Sequence, residues 1–177
     1  MYILITFLTL AFAGVASRLV PHPPNFTAIA AIALVGGIYL DRRAALAVPI
    51  AAMILSDMML GFHGLMPYVY AGFLLTGALG MALKHAPRFP ALLGGSLAGS
   101  ILFFILTNGG VWLTGDGSFY PKTVEGLLAC YAAGIPFFRN SLLGDLIYTG
   151  MLAAVLESVR AWSVSRTAQR DSESRMI

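Results

Sequence analysis

Residues 91–113, ALLGGSLAGSILFFILTNGGVWL, run without one charged side chain. At about 1.5 Å per residue a helix of this length reaches across a hydrocarbon layer of roughly 30 Å. Several comparable runs recur between charged or Pro/Gly-rich breaks, giving about six at residues 2–20, 26–40, 44–62, 66–83, 91–113 and 141–159. The chain of 177 residues is 58% hydrophobic and 11% charged, with a mean hydropathy of +0.81. That is far more apolar material than one soluble core uses. The expected fold is an all-α membrane protein, one bundle over residues 1–160 with about six transmembrane helices. A polar tail over 161–177, SVSRTAQRDSESRMI at its end, lacks an apolar period and reads as disordered and cytoplasmic.

Between the fifth and sixth runs lies TGDGSFYPKTVEGLLACYAAGIPFFRN, residues 114–140. Its apolar middle is short for a span, so the expectation is a loop carrying a short interfacial or re-entrant helix over 126–138. Six spans with the N-terminus inside place eight of the 11 basic residues on the inner side: Arg42, Arg43, Lys84, Arg88, Arg160, Arg166, Arg170 and Arg175. Arg18, Lys122 and Arg139 fall outside. Cytoplasmic ends collect Lys and Arg, so both termini are expected in the cytoplasm of a multi-pass protein of the inner (plasma) membrane. The small residues of AFAGVAS offer a cleavage site, but no Lys or Arg precedes the first run, unlike a signal peptide.

The sequence also narrows the chemistry. A single cysteine, Cys130, makes no internal disulfide, and no Cys/His cluster has zinc spacing. The net charge of +3 comes without basic runs interleaved with aromatics, so no nucleic-acid partner is expected. No Gly-rich phosphate loop, HExxH or GxSxG occurs. Neither an enzyme, a metal site nor a cofactor is expected; a pair of Asp residues working as acid and base would need separated pKa values.

Carboxylates inside apolar helices are costly, at least roughly 2.5 kcal/mol each, unless paired or facing water. Asp57, Asn108 and Asp145 each lie about five residues from the outer end of a run, which places them at one level. Ser141, Asp145 and Tyr148 share one helix face. Two readings follow. The three polar groups line a pocket, or they hydrogen-bond neighbouring helices and fix the packing, with Arg139 as a partner. The outer loops add His22 and Asn25 in PHPPNFT, His63 in GFHG, and Trp112, Tyr120 and Lys122 around residues 107–123. Trp112 and Tyr120 also fit interfacial anchors, and a lone loop histidine also fits plain solvent exposure. Small residues four apart, such as Gly95 and Gly99, allow close helix packing within the bundle or against a partner.

Three stretches carry a resemblance: PHPPNFTAIAAIALVGGIYL, PIAAMILSDMMLGFH and RNSLLGDLIYTGML. With the chain's size and six-helix pattern they resemble the substrate-binding (S) component of energy-coupling factor (ECF) transporters. More closely, over most of residues 18–155, they look like an uncharacterised family of small bacterial integral membrane proteins with no known activity. The S-component resemblance implies capture of a small micronutrient, commonly vitamin-like, at the outer face. It implies as partners an ECF transmembrane subunit and ATPases, consistent with the absence of a nucleotide motif here. Ala13 and Ser17 stand where S components often carry Ala-x-x-x-Ala, and the chain begins MYIL rather than with the His-rich N-terminus of some metal-taking members. Under this expectation Asp57, Asn108, Arg139, Asn140, Asp145 and Tyr148 supply hydrogen bonds and charge, Asn25 and His63 close the site, and Trp112 stacks on a ring. The alternative function is a non-transporting assembly factor or structural partner of another membrane complex.

Overall fold

The computed structural model describes residues 2–40 and 42–174; Met1, Asp41 and residues 175–177, the end of the expected tail, lie outside the described residues. Six helices follow one another: α1 Tyr2–Leu19, α2 Ile29–Tyr39, α3 Arg42–Leu60, α4 Met66–Ala82, α5 Arg88–Thr114 and α6 Val124–Ser174. Among the described residues there is no strand, so the all-α expectation holds. Alternation of direction brings the loops 20–28, 61–65 and 115–123 to one end, called here the loop end.

The centre of the molecule is α2. Residues Ile29 to Ile38 are all buried, as befits a helix that is apolar around its whole circumference. Its 11 residues make about 16 Å of helix, so α2 is a core element enclosed by the others. Two glycines allow this. A Cβ on Gly80 would collide with the Leu34 carbonyl and with Gly37 Cα at 3.0 Å, and one on Gly37 would strike the Gly77 carbonyl and the Met81 amide. The backbones of α2 and α4 therefore touch where a side chain would hold them apart.

The loop into α2 is built by its prolines. Phe26 N–H donates to the Pro23 carbonyl at 3.0 Å, and Asn25 has φ +65°, the pattern of a type II turn with Pro24 at its second position. Ser17 Oγ accepts from Ala28 N–H at 3.1 Å, tying the end of α1 to the start of α2. At the opposite end Tyr39 OH donates to Glu157 at 2.8 Å. Arg88 pairs there with Glu157 at 3.5 Å and lies 4.5 Å over the Tyr39 ring.

The expected break before the last span is absent. Residues 114–140 hold a loop only as far as Thr123, and α6 then runs without interruption through Pro136 and into the polar segment beyond residue 160. The stretch 126–138 is short only when considered alone. Lying against α5, it is held by Tyr131 OH donating to the Ile105 carbonyl at 2.9 Å, Cys130 Sγ to the Asn108 carbonyl at 3.4 Å, and the ring contact of Phe104 with Phe138 at 4.9 Å. This packing outweighs the amide hydrogen that Pro136 lacks.

Among the described residues two helices are long and apolar enough to cross a membrane, Arg88–Thr114 and Val124–Trp162. The other apolar helices, Phe7–Leu19, Ile29–Tyr39, Ala45–Leu60 and Met66–Ala82, are shorter.

Candidate functional site

A cavity of about 630 Å³ opens at the loop end, and every helix contributes to its lining. Near the surface it is bordered by His22, Asn25, His63 and Tyr120 from the loops. Its walls carry Met53, Val69, Phe73, Phe103 and Phe137, and polar groups come from Thr107, Asn108, Ser141 and Asp145. The rings of Phe73 and Phe103 stack at 4.9 Å. Such a mixture, mainly apolar with a few convergent polar groups, is what small-molecule sites share.

Asp145, 5% exposed, forms the inner limit of the cavity. It accepts from Ser100 Oγ on α5 at 2.6 Å, whose single proton is shared with the Ser96 carbonyl at 3.0 Å. On the far side of Asp145 a narrow seam runs among α2, α4, α5 and α6, with no room for a water molecule. Two buried hydroxyls in it, Ser96 Oγ and Thr149 Oγ1, have no hydrogen-bond partner.

Asp57 is placed differently. It is fully buried and does not reach the cavity. Arg18 Nη1 lies 2.7 Å from its Oδ1, although the aligned hydrogen bond of that nitrogen goes to Ser56 Oγ at 2.5 Å. Tyr70 OH donates to Oδ2 at 2.8 Å. Ser56 Oγ in turn donates to the Ala52 carbonyl at 2.7 Å. The charge is thus spent on joining α1, α3 and α4. Arg139, the partner weighed from the sequence, is exposed and borders neither Asp57 nor the cavity.

The expected common level of Asp57, Asn108 and Asp145 does not hold. Asp145 faces Ser100, eight residues and so about 12 Å of helix from Asn108 on the same α5. The error lies in taking residue 140 as the start of a span, whereas α6 begins at Val124, so Asp145 sits deeper than supposed. Asn25, His63, Asn108 and Asp145 nevertheless border one cavity.

The remaining expected residues serve the frame. Trp112 Nε1 donates to the Pro121 carbonyl at 2.9 Å, and Lys122 Nζ lies 5.2 Å from the Trp112 ring while bonding the Trp112 carbonyl and that of Leu113 at 3.0 Å. Lys122 therefore satisfies carbonyls that the end of α5 leaves open. Asn140 Nδ2 donates to the Pro24 carbonyl at 3.0 Å, holding the loop after α1. Tyr148 packs on Phe26 with ring centroids 5.6 Å apart and joins the apolar cluster of α1 and α2. In the loop, Asp116 accepts from Ser118 Oγ at 2.6 Å and from Ser118 N–H at 2.9 Å. These bonds, the hydroxyl first, hold its carboxyl below the usual carboxylate range.

The sequence reading missed Arg18 as the partner of Asp57, and Thr107 and the three phenyl rings as cavity lining. For Arg18 a signal existed: opposite charges stand within the last turn of α1 and of α3, which point the same way. For the rings there was none, since Phe on an apolar helix faces core, cavity or surroundings equally well. Among the described residues no cluster of three His, Cys, Asp or Glu side chains could hold a metal ion.

The sequence matches a family of unknown function, DUF6580, over residues 2–168, and the chain belongs to it. No curated protein and no solved structure matches it.

Proposed function

We propose that this member of the DUF6580 family is a membrane-embedded substrate-binding protein, similar to ECF S components, that takes up a small polar, vitamin-like molecule from the outer side. The observation that carries the reading is the cavity of about 630 Å³ at the loop end, with a buried carboxylate at its inner limit. A lipid setting is supported by the outward-facing apolar side chains. Phe12 is 74% exposed, Met151 59%, Ile101 48% and Ile147 48%, on faces far too continuous for a water-soluble monomer. In this reading all six helices lie within the bilayer, with α2 as a short buried element. Both termini are cytoplasmic, because Arg42, Arg43, Lys84 and Arg88 gather at the end opposite the cavity.

The partners in this reading are a transmembrane subunit and ATPases of the ECF kind. Affinity purification from native membranes tests it: recovery of those subunits, together with a small molecule that leaves the protein on denaturation, is the expected result. A purified protein free of any small molecule, in a stable complex with an unrelated enzyme, contradicts it. The second reading, a non-transporting structural partner, draws on the Arg18–Asp57–Tyr70 network, which uses polar groups purely to join helices.

A further inference from the structure

The charged groups on the cavity wall are few. Arg18 and Asp145 border it, with His22 and His63 near the mouth. Arg18 is engaged by Asp57 behind the wall at 2.7 Å, so the pair contributes no net charge. His22 has both ring nitrogens turned to carbonyls, Nδ1 to Pro23 at 2.8 Å and Nε2 to Arg18 at 3.4 Å. His63 stands on an exposed loop. Among the described residues no basic side chain forms an ion pair with Asp145, and its protein donor is the neutral hydroxyl of Ser100 at 2.6 Å.

A buried carboxylate with one neutral donor is costly to ionise unless a counter-charge joins it. The seam behind it has no room for water, so the open side is the cavity. That side also presents the rings of Phe73, Phe103 and Phe137, whose faces attract cations. An anionic ligand would meet Asp145 with no free cation beside it.

From this we infer that the cavity takes a small organic cation, an apolar or ring-bearing body with a protonated nitrogen that seats against Asp145. The inference rests on the binding reading above and adds the charge of the ligand. Ser141, one turn from Asp145 on α6 and also at the cavity, offers the same nitrogen an acceptor. Asn108 and Thr107, toward the mouth, are placed for polar groups at the other end of the ligand.

The test uses the full chain in nanodiscs of zwitterionic phosphatidylcholine and three probes of one shape: 1-naphthylmethylamine, 1-naphthalenemethanol and 1-naphthoate. Binding is read from naphthalene fluorescence. The amine is expected to bind roughly tenfold tighter than the alcohol, with naphthoate weakest. Asp145→Asn is expected to bring amine and alcohol within about threefold of each other. Should that variant fail to fold, Ser100→Ala keeps the carboxylate while removing its hydroxyl donor, and the preference for the amine must persist or grow. Alcohol or naphthoate binding as tightly as the amine, or a preference that survives Asp145→Asn, overturns the cation assignment and leaves the site standing. Failure of all three probes, in a protein that also carries no small molecule from the cell, overturns the binding reading and this inference with it.

Discussion

Arg18 and Asp57 meet at 2.7 Å where α1 and α3, running in the same direction, come to the loop end together. The contact settles two matters at once. It joins two helices that are distant in sequence, and it removes the positive charge of Arg18 from the cavity it borders. Asp145 is left as the carboxylate that a ligand can see.

Breaking that pair from one side should be far worse than removing it whole. Arg18→Met alone leaves Asp57 buried without a counter-charge, a loss of about 3–5 kcal/mol. The double variant Arg18→Met/Asp57→Leu should recover most of this. Unfolding midpoints of purified protein make the comparison, and a double variant no better than Arg18→Met would count against the pair as the cause.

The crossing of α2 and α4 gives a paired prediction. Gly80→Ala puts a methyl against the Leu34 carbonyl and should cost about 1–3 kcal/mol through overpacking. Gly94→Ala, with nothing within 4 Å of the new Cβ, should be neutral or gain up to about 1 kcal/mol from helix propensity. Thermal unfolding of the two variants side by side decides it.

Helix positions were legible in the sequence because apolar runs and Pro/Gly breaks are local signals. The expected runs 2–20, 66–83 and 91–113 correspond closely to Tyr2–Leu19, Met66–Ala82 and Arg88–Thr114. The unbroken α6 was not legible, because Pro136 and a short apolar stretch look like a break until α5 is set alongside. Asn25, His63, Asn108 and Asp145, singled out in the sequence by their chemistry, border the cavity. The roles of Asp57 and Trp112 depend on which neighbour lies within 3 Å, which no periodicity records.

Lys122 closes the end of α5, so Lys122→Met should loosen the loop and little else. Limited proteolysis is expected to cut faster within residues 115–123 while the unfolding midpoint moves by no more than the ~1 kcal/mol of one lost hydrogen-bonding partner. Unchanged cleavage would show that the carbonyls of Trp112 and Leu113 do not depend on that ammonium.

Cys130, the single cysteine of the chain, borders the cavity and is 2% exposed. A small maleimide should modify it slowly in the native protein and quickly after unfolding, and ligand in the cavity should slow the native reaction further. Native labelling as fast as in the unfolded chain would contradict the closed wall formed by α5 and α6.

The central claim, that the cavity at the loop end holds a small molecule, is tested most directly by native mass spectrometry of the protein released from membranes. The wild-type chain should carry an added small mass, and Ala133→Trp, which fills the cavity from α6, should lose it while keeping the same unfolding midpoint. An unliganded wild-type protein, or the same mass retained by the filled variant, would contradict the account.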